Sequence, residues 1–75
     1  MYKHILYFTT LAECLKAETW IKATYGSEIE DSYTDDDDPH IIHFCFYTSN
    51  PLLMHQQQNI ISSLHPTNYR INEEL

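Results

Sequence analysis

The sequence predicts one α+β domain, with two helices laid on one face of a four-stranded antiparallel sheet. Three observations predict it. The chain has 75 residues, enough for a single core and no more. Its apolar residues run together or alternate over 3–9 and 40–48, and recur at helical spacing over 11–25 and 53–64. Capping and chain-breaking residues stand at the joints between those stretches. Hydrophobic residues make up 43% of the chain and aromatics 13%, too rich for a disordered acidic tail. A chain this short buries only about 60% of its unfolded surface, so its stability is modest.

Each element has its own signal. Residues 3–9 (KHILYFT) hold Ile5, Leu6, Tyr7 and Phe8 in succession, the pattern of a central strand with both faces partly covered. Thr10 with Glu13 fits a capping box, which predicts a helix from 11 to about 25. Gly26, the one glycine in the chain, stands where a left-handed helix stop wants it. On this helix Leu11, Cys14, Leu15, Ile21 and Tyr25 share one side, with Glu18 and Lys22 as an i,i+4 pair at its edge. Trp20 projects from the opposite side, or folds back against the second helix if the phase differs by one position.

Residues 28–34 (EIEDSYT) alternate, with Ile29, Asp31 and Tyr33 opposed to Glu28, Glu30 and Ser32, a polar edge strand. Asp35 to Asp38 with Pro39 form a turn, since Asp bonds its own backbone and Pro breaks pairing. HIIHFCFYT at 40–48 is the most strand-like stretch. Ile42, Phe44 and Phe46 lie on one face and Ile41, His43, Cys45 and Tyr47 on the other. Asn50-Pro51 reads as an N-cap followed by proline at N1. Leu53, Gln57, Ile60, Ile61 and Leu64 then make one stripe, and the helix must stop near His65, before Pro66. A short strand over 68–72 closes the chain. The order β-α-β-β-α-β, with short right-handed connections, predicts a ferredoxin-like split βαβ fold of strand order 4-1-3-2.

The charge is placed unusually. The chain carries 11 acids against 4 Lys plus Arg, a net charge of −7. Residues 1–27 sum to +1 and residues 39–75 to −1. The intervening segment holds Glu28, Glu30, Asp31, Asp35, Asp36, Asp37 and Asp38 with no base. A surface built only for solubility would mix both signs. The balance argues against direct binding of nucleic acid or an anionic membrane, because both need clustered Lys and Arg. No apolar run approaches the length of a membrane span. The opening MYKHILYFTT lacks the order of a signal peptide. With only Cys14 and Cys45, disulfide stapling is not expected, and a cytoplasmic setting with both as thiols is.

Several chemistries compete for these residues. The acidic run can be a solvated loop. It can also mimic a nucleic acid: duplex DNA carries about one negative charge per 1.7 Å of axis, and adjacent aspartates flanked by Glu28, Glu30 and Asp31 give comparable spacing. A specific Ca²⁺ or Mg²⁺ site is disfavoured, since consecutive carboxylates diverge and no glycine makes the loop turn. His43 and Cys45 share a strand face that His4 could join, yet no zinc-ligand spacing is present. A Cys45–His43 nucleophile pair lacks an orienting group. Tyr7, Phe44, Phe46 and Tyr47 could line an open sheet face as in RNA-recognition domains, but without the basic and glycine residues such a face needs.

The function expected is therefore non-enzymatic, with no cofactor and no metal. An acidic inhibitor would occupy the basic groove of a DNA- or RNA-binding protein with Glu28, Glu30, Asp31 and Asp35 to Asp38, while Trp20 or Tyr33 anchors the contact. In size and charge the chain resembles the counter-defence proteins of bacterial viruses, such as anti-restriction and anti-CRISPR inhibitors, and that resemblance implies a competitive DNA mimic. The rival is a small structural or regulatory homodimer that works through its uncovered sheet face.

Overall fold

A computed structural model describes residues 1–25, 28–29, 33–34 and 42–75. Its elements run β1 (Tyr2–Phe8), α1 (Leu11–Tyr25), β2 (Glu28–Ile29), β3 (Tyr33–Thr34), β4 (Ile42–Thr48), α2 (Met54–Leu64) and β5 (Asn68–Glu74). The class is α+β, but the four-stranded ferredoxin-like sheet predicted from the sequence is not formed. Three seven-residue strands make the body of the sheet. β1 lies between β4 and β5 and is antiparallel to both. In place of the expected strand over 28–34, two dipeptides pair separately with the far side of β4.

The register explains the interruption. Glu28 and Ile29 pair with Tyr47 and Phe46, whereas Tyr33 and Thr34 pair with His43 and Ile42. Three residues separate Ile29 from Tyr33, but only two separate Phe46 from His43. A regular strand in the first register would set Asp31 opposite Phe44, which is fully buried. An unpaired carboxylate there would be expensive to desolvate.

Alternation along the long strands divides the apolar residues. Leu6 and Phe8 of β1 and Phe44 and Phe46 of β4 join Cys14, Ala17 and Ile21 of α1, Leu52 and Ile60 in one buried cluster. Both helices therefore cover the face of Phe44 and Phe46. Phe8 stacks on Phe44 at 6.2 Å, and Phe44 on Phe46 at 6.0 Å. The opposite face carries Ile5, His43 and Cys45, all buried. Cys14 and Cys45 are buried thiols on the two sides of the sheet, with no disulfide between them.

Two helix assignments need correction. α1 has the expected limits, and Thr10 Oγ1 accepts the Glu13 amide at 3.2 Å. Its buried stripe, however, is Cys14, Ala17 and Ile21, while Leu11 and Leu15 stay 53% and 49% exposed. Alanine lets the helix approach the Phe44–Phe46 layer, and the larger leucines are turned outward. Gly26, expected to end α1, lies outside the described residues. α2 begins at Met54 rather than at Pro51. Gln56 Oε1 accepts the Leu53 amide at 2.8 Å, so a side chain within the first turn satisfies an amide there. Leu52, not Leu53, fills the core: it is 6% exposed against 59%. The helix does stop at His65, in left-handed conformation at φ 48°, its amide bonded to the Ile61 carbonyl.

Candidate interaction site

Of the residues expected to meet a partner, Glu28 and Tyr33 are placed by backbone pairing to β4. Glu30, Asp31 and Asp35 to Asp38 lie outside the described residues. Their points of attachment are nevertheless fixed. Thr34 and Ile42 are direct partners, so the chain carrying Asp35 to Asp38 joins two positions on one rung. Ile42 also faces Phe8, the last residue of β1. The acidic run is thus tethered at that end of the sheet.

Trp20 is half-buried and packed against the core cluster. Its ring meets Tyr25 edge-on, with centroids 6.0 Å apart and planes at 71°. Burial pushes the Tyr25 phenol above its ordinary pKa, opposed by a hydrogen bond with Asn59 of α2. Trp20 therefore has an exposed portion and a packed one, joined through Tyr25 to the seam between the helices.

The basic residues of the body have acidic neighbours. Lys22 bonds Glu18 at 3.0 Å, the pair expected from their spacing. Arg70 pairs with Glu73, and Glu73 lies opposite Lys3 in the ladder. Glu13 and Lys16, with Ser63, Leu64 and His65, line a groove of about 360 Å³ between the start of α1 and the end of α2. Among the described residues, opposite charges are interspersed on the body of the protein.

The zinc and aromatic-platform readings fall on described residues, whereas a cation site at Asp35 to Asp38 lies outside them. His4 lies on the helix face with Phe46, ring centroids 4.8 Å apart, whereas His43 and Cys45 lie on the other face. The three residues cannot converge on one ion, and no group of three metal-ligating side chains occurs among the described residues. Phe44 and Phe46 are sealed under the helices. Only Tyr7 and Tyr47 of the expected aromatic platform remain partly accessible, and Tyr7 lies against His43 at 5.3 Å. No helix is long and apolar enough to cross a membrane.

Sequence reasoning missed a buried polar cluster at the end of the sheet away from the acidic tether. Thr48 donates its one hydroxyl proton to the Asn50 carbonyl at 2.6 Å, so it accepts from His4 Nε2 at 2.7 Å. His4 Nδ1 in turn accepts the Asn72 amide at 3.0 Å. The imidazole is thereby fixed as the neutral Nε2–H form, and burial lowers its pKa from 6.5 to about 4. Asn72 has φ 62° and sits where the β1–β5 register shifts, a left-handed bulge position that Asn tolerates well. Its side chain accepts the Leu52 amide at 2.7 Å and donates to the Leu52 carbonyl at 3.0 Å. One sequence signal was available: His4 occupies the same alternating phase as Leu6 and Phe8, so a polar group had to be satisfied in the core.

No protein-family model matches the chain, and no curated protein matches it in sequence.

Proposed function

We propose that the protein is a non-enzymatic, cytoplasmic interaction protein whose acidic segment mimics nucleic acid and blocks the basic groove of a DNA- or RNA-binding partner. The observation that carries this reading is the segregation of charge. Residues 28–38 hold seven acids and no base, while the remainder is neutral overall. Mutual repulsion among those carboxylates destabilises the free protein unless a partner supplies the opposing charge. Attachment of the run to one rung at one end of the sheet supports the same reading, because the carboxylates are joined to the body without belonging to its three long strands.

In this mechanism Glu28, Glu30, Asp31 and Asp35 to Asp38 take the places of backbone phosphates against the partner's Lys and Arg. Tyr33 and the exposed part of Trp20 supply apolar contact. Association is fast and salt-sensitive, since charge complementarity acts mainly on encounter. An anti-restriction or anti-CRISPR role fits this competitive mode. The homodimer alternative would use the face of Lys3, Tyr7 and Tyr47, but Ile5, His43 and Cys45 at its centre are already buried.

The test is capture from a lysate of the source organism by immobilised wild type and by a variant with Asp35 to Asp38 changed to Asn. Mimicry expects a nucleic-acid-binding protein held by wild type alone, displaced by a duplex oligonucleotide and by raised salt. A partner held equally by both proteins, and unmoved by the competitor, refutes it.

A further inference from the structure

The Asn72 amide points at the only nitrogen of His4 that can take up a proton. Nε2 already carries a hydrogen, directed to Thr48, and Nδ1 is the acceptor of the Asn72 N–H at 3.0 Å. A proton from solvent added at Nδ1 puts two donors face to face, and that hydrogen bond cannot survive. Asn72 is also the residue whose side chain grips both backbone groups of Leu52. Leu52 is buried and leads directly into α2. We propose that His4, Asn72 and Leu52 form an acid-operated latch, in which protonation of His4 releases the β5 bulge and, through the Asn72 side chain, the segment that seats Leu52 in the core.

The surroundings of His4 favour this assignment. From β4 it meets the Phe46 ring and the Thr48 hydroxyl, from β5 the Asn72 amide, and Thr48 connects it to the Asn50 carbonyl. None of these groups titrates. Tyr2 and Glu74 are the titratable neighbours one pair further along the same face, and they oppose each other in the ladder. Lys3 and Glu73 pair on the other face. Among the described residues no ion pair includes His4 to hold a charge in place. Removal from water disfavours the charged ring, and the Asn72 hydrogen bond, which only the neutral ring can accept, acts in the same direction.

The left-handed backbone at Asn72 makes release local. The bulge already breaks the regular β1–β5 ladder between Lys3 and Ile5, so the far half of β5 can part while Asn68 to Arg70 stay paired. Opening then frees the Leu52 amide, while the Leu52 carbonyl is still held by Gln57 Nε2 at 3.0 Å. The expected open state is a loosened loop and strand end on an intact β1–β4 pair.

Amide hydrogen exchange by NMR, corrected for the intrinsic pH dependence of exchange, tests the latch on wild type and on Asn72→Gly. Glycine keeps the left-handed backbone and its amide but has no side chain to grip Leu52. In wild type, protection of the Asn72 and Leu52 amides should fall about twentyfold from pH 7 to pH 5, for a ring that titrates near 6.5 when freed and near 4 when latched. Amides bonded between β1 and β4 should remain more protected than these two. In Asn72→Gly, Leu52 should be less protected at pH 7 and show no further acid response. The ring ¹⁵N shifts of wild type give a reading that needs no variant. They should report the Nε2–H tautomer at pH 7 and titrate in step with the loss of Leu52 protection. Exchange of Leu52 and Asn72 only together with the β1–β4 amides would overturn the latch, as would an unchanged acid response of Leu52 in a folded Asn72→Gly.

Discussion

Asn72 makes two separable contributions to stability, and replacing it by Ala and by Gly distinguishes them. The first is conformational: at φ 62° an L-residue with a Cβ is strained by about 1–2 kcal/mol, which Asn offsets locally and Gly avoids. The second is the grip on Leu52. Without the Asn side chain, the Leu52 carbonyl keeps Gln57, but its amide loses the acceptor 2.7 Å away. An unsatisfied donor in a partly buried position costs about 1–2 kcal/mol. Asn72→Gly should therefore lose about 1–2 kcal/mol and Asn72→Ala about 2–4 kcal/mol. A chain of this size has roughly 4–11 kcal/mol to lose, so the Ala variant approaches the limit of folding. Urea denaturation at pH 7, followed by the fluorescence of Trp20, measures both, since it is the sole tryptophan and packs on the core. Equal losses for Ala and Gly would refute the left-handed requirement. No loss for either would refute the grip.

Leu52→Ala should destabilise by about 2–4 kcal/mol through a core cavity, while the adjacent Leu53→Ala should stay within about 0.5 kcal/mol; similar values by denaturation would put both side chains in the core. The pH dependence of global stability should carry the mark of His4. Its folded pKa lies below its unfolded one, so its contribution is complete above pH 6.5 and is lost towards pH 4, by about 2 kcal/mol at pH 5 and about 3 kcal/mol at pH 4. His4→Leu, less stable at pH 7 because the Asn72 amide loses its acceptor, should lack that share of the fall, and parallel stability curves for the two proteins would exclude His4 as the group responsible.

The elements that could be read from the sequence are those where one physical signal dominates. Contiguous apolar residues in ILYF and HFCFY announce β1 and β4, and Thr10 fixes the start of α1 without reference to packing. His65, next to Pro66, ended α2 where a proline forbids continuation. Failures came where two signals compete at short range. Leu11 and Leu15 have the right spacing and the greater hydrophobicity, yet the close approach of α1 favours Ala17, and only the partner surface reveals that. Asn50-Pro51 has the chemistry of a helix start, but Asn72, distant in sequence, holds Leu52 in an extended loop. The strand over 28–34 was inferred from alternation alone, and alternation cannot sense that one of its alternating positions would meet Phe44. For the candidate interaction site, the sequence reveals the charge segregation, and the described residues add the Thr34–Ile42 rung to which the acidic run is joined.

Placing β1 at the centre of the sheet has a consequence for how the chain is made. Ile5 pairs with Cys45 on one side and Arg70 on the other, so β1 leaves the ribosome before either of its long partners and waits for them. Until β4 has been synthesised, Leu6 and Phe8 have no layer to pack against except α1, and until β5 follows, one edge of β1 stays open. Contacts so distant in sequence slow folding relative to a helical protein of the same length. They also leave an apolar strand exposed to other chains in the interval. During that interval seven carboxylates, synthesised before β4, discourage nascent chains from pairing with one another. The charge proposed above to meet a partner would then also act as a shield during synthesis.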